Sequence, residues 1–385
     1  MSHPLIYLDY NATTPVDKRV LEAMLPYFSE RFGNAASKTH AAGWTASRAV
    51  DEARKQVADM IGCDAQEIIF TSGATESINL AIKGVYAAYA SKGKHIITYA
   101  TEHKAVLDTC AYLEELGAEI EYLPINQDGL PDLQLLEKSI RSDTILVCAM
   151  FANNETGVVF PINKIADTVH SKKSILFCDA TQAVGKMIVD VNDEGIDLMC
   201  LSAHKFYGPK GVGALYVRRK DPRVSLIPLI HGGGHERGLR SGTLNVPGIV
   251  GLGKACSIAV DEMWNDAEKS SRLRTLLEQS LIDLGNVFIN GNMKDRLAHV
   301  TNLAIGGIKA ERLITQVPNI ALAMGSACTS ALPEPSHVLK AMGREAMAES
   351  SVRFSLGKYT TQEEIETAIK EISAAVKKLR TAPNP

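Results

Sequence analysis

Several apolar runs in this chain end abruptly in side chains able to do chemistry. Ile68-Ile69-Phe70 leads into Thr71-Ser72-Gly73-Ala74-Thr75-Glu76-Ser77. Small and hydroxyl residues that open a helix offer free N–H groups and the positive end of the helix dipole, which together bind phosphate. A plain helix cap by Ser72 or Thr75 is the other reading. Phe177-Cys178 is followed by Asp179-Ala180-Thr181-Gln182. An acid there can cap a helix, or it can face the ring nitrogen of a heterocyclic cofactor and keep it protonated. Ser202-Ala203-His204-Lys205 ends a third run. Its lysine is either a solvated turn residue or a desolvated amine able to form a Schiff base, with a hydroxyl and an imidazole beside it to hold a phosphate. Thr101-Glu102-His103 ends a fourth, and its histidine is open to a structural or a functional reading.

Cys328 is a different kind of candidate. Around it, Met324-Gly325-Ser326-Ala327-Cys328-Thr329-Ser330-Ala331-Leu332-Pro333-Glu334-Pro335 has small residues, hydroxyls and two prolines without apolar periodicity. That composition predicts an exposed, mobile loop. An exposed thiol invites oxidation unless its reactivity is used, so Cys328 reads as a nucleophile. Cys110, Cys148, Cys178, Cys200 and Cys256 sit in apolar runs and read as small core residues, and Cys63 as an incidental one in a polar turn. Seven cysteines at irregular spacing with no C-x-x-C pair argue against a disulfide framework or structural zinc. His231 and His235 lack a nearby third ligand, so no metal site is expected. Gly208-Pro209-Lys210-Gly211-Val212-Gly213 is not G-x-G-x-x-G and opens a strand, which argues against a nicotinamide enzyme.

Regular elements must position these groups. The runs at 68–70, 95–99, 119–123, 144–151, 174–178, 197–201 and 212–217 read as strands, with helical periodicity at 48–61, 104–116, 132–141 and 162–171. The alternation predicts an α/β fold with a mainly parallel central sheet covered on both faces. The 26 residues from Asp179 to Lys205 read as one strand–helix–strand step, so both groups face one crevice at the carboxyl edge of the sheet. Near residue 248 the pattern changes to a long helical segment (248–284), short strands (300–305, 320–323, 352–356) and an amphipathic helix (361–380). These predict a smaller α+β C-terminal domain. A chain of 385 residues, 45% hydrophobic, exceeds what one core usually supports. A net charge of −3 gives no electrostatic case for nucleic acid or an anionic membrane. No run approaches the roughly 18 apolar residues of a spanning helix. The N-terminus lacks the charged-then-apolar order of a signal peptide, so a cytoplasmic location is expected.

The motifs quoted above are joined by Leu8-Asp9-Tyr10-Asn11-Ala12-Thr13-Thr14-Pro15, Asn153-Asn154-Glu155-Thr156-Gly157, His231-Gly232-Gly233-Gly234-His235-Glu236-Arg237 and Arg240-Ser241-Gly242-Thr243. In this order the chain resembles, over nearly its whole length, the cysteine desulfurases of the NifS/IscS type. These are class V aminotransferase-like members of the fold-type I pyridoxal-phosphate enzymes. The resemblance implies pyridoxal 5'-phosphate held by Lys205, with Asp179 on the pyridinium nitrogen, Gln182 at the phenolic oxygen and His103 stacked on the ring. It places Ala74, Thr75, Ser202 and His204 around the phosphate, with Asn154 also beside the cofactor. It implies a homodimer in which Thr243 reaches the neighbouring subunit's phosphate. The matching division is an N-terminal arm (1–15), a large cofactor domain (16–257) and a small domain (258–385) that carries Cys328.

The implied substrate is L-cysteine, its carboxylate held by Arg353, Asn154 or Asn11. An arginine fork binds a carboxylate bidentately and so orients the Cα–H bond, although Arg353 also reads as a surface salt bridge. Cys328 would then take the sulfur as a persulfide, leaving alanine, with His103 moving a proton. The resemblance further implies a sulfur-acceptor protein in iron–sulfur cluster or thiocofactor biosynthesis, and transient ligation by Cys328 of an iron–sulfur cluster shared with a scaffold. The match departs near the end: the chain stops soon after Lys377-Lys378-Leu379-Arg380, where some members carry a tail that contacts the scaffold. The acceptor is therefore left open. An aminotransferase or a selenocysteine lyase on the same framework, and a scaffold without turnover, are the competing readings. The aminotransferase leaves Cys328 unexplained.

Overall fold

The computed structural model describes residues 5–325 and 336–381. Its strands in chain order are β1 (Ile6–Tyr7), β2 (Ile68–Thr71), β3 (His95–Tyr99), β4 (Glu119–Leu123), β5 (Thr144–Met150), β6 (Ile175–Asp179), β7 (Leu198–Ser202), β8 (Gly213–Val217), β9 (Val287–Ile289), β10 (Val300–Ile305), β11 (Ile320–Ala321) and β12 (Ser351–Ser355). One seven-stranded sheet has the order β2-β8-β7-β6-β5-β3-β4. Strands β4, β3, β5, β6 and β7 are parallel neighbours, as expected from the alternating pattern. Only β8 runs against the strands beside it. The connection 203–212 between β7 and β8 is shorter than the crossover of about a dozen residues that a parallel return needs.

Strands β5 to β8 are buried along their whole length, as a sheet covered on both faces requires. Successive residues alternate between the two faces. Leu176, Cys178, Met199 and Leu201 join a core beneath helices Ala41–Ile61 and Ile162–Ser171. Ile175, Phe177, Leu198 and Cys200 join the core under helices Ala74–Ala88 and Lys104–Glu115. Each such fully buried Leu, Ile or Phe contributes about 1.5–3 kcal/mol of hydrophobic stabilisation.

The expected strand–helix–strand step from Asp179 to Lys205 needs correction. Strands β6 and β7 are adjacent and parallel, but the chain from 180 to 197 is built of turns, not a helix. The Asp190 carboxylate accepts from the N–H groups of Asn192 and Asp193, a local bond that competes with helix formation. The crossover still packs, because Val184, Val189, Val191 and Ile196 enter the core.

A second, three-stranded antiparallel sheet has the order β12-β10-β9. Beside it β1 pairs with β11, and Asp9 bridges to Ser355. Leu8, Leu303, Phe354 and Ile372 belong to its separate core. Helix Val246–Ile282 joins the two regions: Leu252 and Cys256 lie in the first core, Leu273 and Leu277 in this one. Its 37 residues span about 55 Å, and residues 257 and 258 fall inside it. A Cβ at Gly253 would lie 2.6 Å from Ala53 Cα, so this helix touches helix Ala41–Ile61 backbone to backbone. Among the described residues, no helix is long and apolar enough to cross a membrane.

Candidate active site

The carboxyl ends of β3, β5, β6 and β7 open onto one cavity of about 360 Å³. The strand order reverses between β3 and β5, the kind of switch point where α/β sheets bind ligands. Asn11, Ala74, Thr75, His103, Asn154, Asp179, Gln182, Ser202, His204, Lys205 and Arg353 all line the cavity. Two predicted residues are not among them. Thr243 lies exposed on the surface, and Cys328 lies outside the described residues.

Asp179 ends β6 and is buried. Its Oδ1 accepts from the Thr181 N–H at 3.0 Å and from the Cys200 thiol at 3.2 Å, which leaves Oδ2 for a ligand. Lys205 ends the short turn Ala203–Lys205 after β7. Its Nζ donates to the carbonyls of Asn11 (2.7 Å) and Ala12 (2.9 Å). The Gln182 amide spans two partners: Nε2 donates to the Asn11 carbonyl at 3.1 Å, and Oε1 accepts from Lys186 at 2.8 Å. His103 caps helix Lys104–Glu115 by accepting the Ala105 N–H, so it fills a structural position and faces the cavity at once.

An anion cradle stands beside them. Helix Ala74–Ala88 begins at Gly73 with no side-chain cap, so neither Ser72 nor Thr75 takes its first N–H groups. That removes the capping reading and leaves those donors to a ligand. A Cβ at Gly213 would lie 2.7 Å from Gly73 Cα, so only glycine lets the cradle rest on β8. Ser202, His204, Lys205 and Lys210 line the same cavity. Burial, reinforced by Lys205, Lys210 and Lys186, lowers the His204 pKa to about 4, so the ring is neutral at neutral pH.

Arg353 is only 1% exposed, which excludes a surface salt bridge. Its Nη2 pairs with Asp9 Oδ1 at 2.6 Å and its Nη1 donates to the Asn154 carbonyl at 3.0 Å. Asn11 Nδ2 donates to that same carbonyl at 2.9 Å. The Nε–H of Arg353 is buried and has no acceptor among the described residues.

Cys110, Cys148, Cys178, Cys200 and Cys256 are buried, and Cys63 is half-buried. Burial pushes the thiols of Cys63, Cys148, Cys178, Cys200 and Cys256 up, away from the reactive thiolate. Sequence reasoning passed over three other groups. Glu102 is fully buried, and burial together with Asp179 raises its carboxyl well above the usual range. Asp9, quoted only as part of a motif, pairs with Arg353. His299 bonds Asn11 Oδ1 at 2.9 Å through a contact 288 residues apart in sequence, which no local pattern signals.

Residues 6–367 match the aminotransferase class-V family. The chain belongs to that family. It is 53% identical to a protein named cysteine desulfurase IscS from Anaeromyxobacter sp. (strain Fw109-5), over 97% of this chain and 93% of that one. Among solved structures, a NifS-like protein superposes with a TM-score of 0.90 at 39% identity, covering 96% of this chain and 98% of that one. SspA in complex with cysteine gives 0.81 at 38% identity, covering 92% and 100% respectively. The fold-type I framework expected from the sequence holds, and pyridoxal phosphate is the cofactor. The residues present fit it, with an acid for a ring nitrogen, an amine and an uncapped helix N-terminus around one cavity.

The neutral His204 has a measurable consequence. Its folded pKa lies below the unfolded value of about 6.5, so the unfolded state gains a proton first as pH falls, and His204 subtracts stability below about pH 6.5. We expect cofactor-free His204→Gln to lose less stability than wild type between pH 7 and 5, by about 1 kcal/mol after allowance for solvent screening of a partly exposed ring. Urea unfolding at the two pH values checks this.

Proposed function

We infer that the chain is a pyridoxal-phosphate-dependent cysteine desulfurase that moves sulfur from L-cysteine to Cys328 and releases alanine. The observation that carries this reading is the convergence of the Lys205 amine, the Asp179 carboxylate and the uncapped helix N-terminus on one cavity, with Arg353 and Asn154 in its wall. The relatives' names and the cysteine in the SspA complex support the substrate.

When bound, the cofactor supplies an electron sink that makes the Cα–H bond of an amino acid acidic and its sulfur open to attack. The protein's residues do the rest. Lys205 holds the cofactor, Asp179 keeps the ring nitrogen protonated, and Gln182 presents its N–H₂ to the phenolic oxygen. Ala74, Thr75, Ser202 and His204 hold the phosphate. Arg353, Asn154 and Asn11 fix the substrate carboxylate. Cys328 attacks the substrate sulfur as a thiolate: an S–S bond forms, the Cβ–S bond breaks, and its electron pair stays with the carbon fragment. That fragment gains protons to become alanine, with His103 beside the reacting groups as the proton carrier. The sum, cysteine plus a thiol giving alanine plus a persulfide, needs no added oxidant. The persulfide then passes to an acceptor protein in iron–sulfur cluster or thiocofactor synthesis, where Cys328 transiently ligates a cluster shared with a scaffold.

The same reading makes the chain a homodimer. Thr243 is exposed and does not line its own cavity, and Ile227, Leu229 and Ile230 leave apolar surface in the same segment. A partner placed there brings Thr243 to the neighbouring phosphate. It also divides the chain into the arm (1–15), the cofactor domain (16–257) and the small domain (258–385), with helix Val246–Ile282 continuous across the last boundary.

Three outcomes are expected. Lys205→Ala should lack the visible absorption of lysine-bound cofactor; an unchanged spectrum would move the covalent link elsewhere. Cys328→Ala should keep that absorption and still bind cysteine, yet form no persulfide by mass spectrometry and release no alanine. Sedimentation should give twice the 41.6 kDa chain mass at assay concentration, and an active monomer would sink the shared site.

A further inference from the structure

We propose that Lys186 is a positioning residue for the cofactor: from behind Gln182 it fixes which way that amide faces and strengthens the N–H it offers to the phenolic oxygen. The proposal rests on the reading of Gln182 as the partner of that oxygen.

The two ends of a glutamine amide are alike in shape and opposite in role. In Gln182 each end meets a partner that allows one orientation. Nε2 donates at 3.1 Å to the Asn11 carbonyl, which can only accept, and Oε1 accepts at 2.8 Å from Lys186 Nζ, a donor. A flipped amide would set oxygen against oxygen at Asn11 and N–H₂ against the amine at Lys186. One N–H of Nε2 is spent on Asn11, which leaves the second for a ligand. Gln182 lines the large cavity and Lys186 does not. Lys186 instead lines a smaller cavity of about 40 Å³, with Lys205 in the wall of both.

The chain between these two side chains is held tightly. The Val184 N–H donates to the Ala180 carbonyl at 3.0 Å, and the Lys186 and Met187 N–H groups donate to the Ala183 carbonyl at 3.0 and 3.1 Å. Gly185 has a φ of 79°, in the left-handed region, and any side chain there would collide with Phe206, the residue after Lys205. The turn that carries Gln182 and Lys186 therefore rests directly on the turn that carries Lys205.

Lys186 is poorly explained as a structural support. Its polar partner is an amide, not a carboxylate. Burial, then Lys205 and Arg353, push its pKa well down, and Lys186 in turn helps to lower those of His204 and His299. Asp266 and Lys358 complete the charged groups around the smaller cavity. An amine set among cations costs stability unless something offsets it. An anionic oxygen at the far end of the Gln182 amide supplies that offset. A hydrogen bond accepted at Oε1 also polarises the amide, which makes its N–H groups better donors.

The consequence is readable in the light absorption of the loaded enzyme. The cofactor's covalent link to Lys205 holds a proton shared with the phenolic oxygen. A stronger donor on that oxygen favours the form without the proton, so weakening the donor raises the pH at which the visible band changes.

The test titrates that band with pH in Lys186→Met, Lys186→Arg, Gln182→Leu and the double variant Lys186→Met/Gln182→Leu, each loaded with pyridoxal phosphate. We expect the midpoint to rise by about 0.5–1 unit in Lys186→Met and by at least as much in Gln182→Leu. The double variant should match Gln182→Leu, because the two residues act in series. Lys186→Arg, which keeps a donor, should stay within about 0.3 unit of wild type. An unchanged midpoint in Lys186→Met overturns the proposal. So does an equal shift from Lys186→Met with and without Gln182, or a shift in Lys186→Arg as large as in Lys186→Met. Failure of Lys186→Met to load while Gln182→Leu loads overturns it too, since an effect carried by the amide cannot exceed loss of the amide. No shift in Gln182→Leu defeats the reading of Gln182 itself, whatever the Lys186 variants do.

Discussion

Asn11 is the residue on which the rest of the site depends. All four of its polar groups are used. Its N–H donates to Ser355 Oγ, its carbonyl accepts from Lys205 and Gln182, its Nδ2 donates to Asn154, and its Oδ1 meets His299. Ser355 and His299 belong to the smaller sheet region, Lys205 and Gln182 to the carboxyl edge of the larger sheet. One buried asparagine thereby locks two separately cored regions into a single register. Its bonds are worth roughly 1 kcal/mol each when made, and losing one partner leaves a buried group unsatisfied at about 1–3 kcal/mol. That asymmetry is why a fully used side chain specifies geometry more sharply than apolar contact does.

Around that joint the cavity is built to hold negative charge. Lys205, Lys210 and Arg353 line it, and Lys186 backs it through Gln182. Burial, with the lysines beside it, holds the His204 pKa down, and burial beside Asp179 holds that of Glu102 up. Asp179 is held differently, with an N–H and a thiol on one oxygen. The arrangement suits a phosphate at the helix N-terminus and a carboxylate at Arg353, with a protonated ring nitrogen between. Cys200 enters this site only as a donor to Asp179, since burial keeps its thiol from ionising.

Much of the fold was legible because apolar runs report burial directly. Strands 95–99 and 300–305 and helix 162–171 stand at the expected residues, since a strand buried on both faces has to be largely apolar; the edge strand 119–123 is also placed as expected, with Glu119 and Tyr122 exposed. Helix Ala41–Ile61 starts seven positions earlier than its apolar periodicity suggests, because its first two turns bury Gly43 and Ala46, too small to register as an apolar stripe. The chain from 180 to 197 reads as helix only from the 26-residue separation of Asp179 and Lys205, and the Asp190 turn imposes another path. The β9 strand (Val287–Ile289) is too short and too exposed to give a pattern.

By itself the sequence determined which side chains end which strands, and hence that Asp179, His103 and Lys205 share one edge of one sheet. Residue order along a parallel sheet leaves them nowhere else to be. It also determined the types of group available: a lysine for a carbonyl, an acid for a ring nitrogen, a Gly-Ala-Thr turn for a phosphate or a cap. Only the tertiary structure decided what each group touches. The pairing of Arg353 with Asp9, the closure of Asn11 on His299, and the bond of Ser336 to Glu155 join residues far apart in the chain. Contacts of that range are set by how two cores pack against one another, a property of summed side-chain shape that no local run of residues encodes.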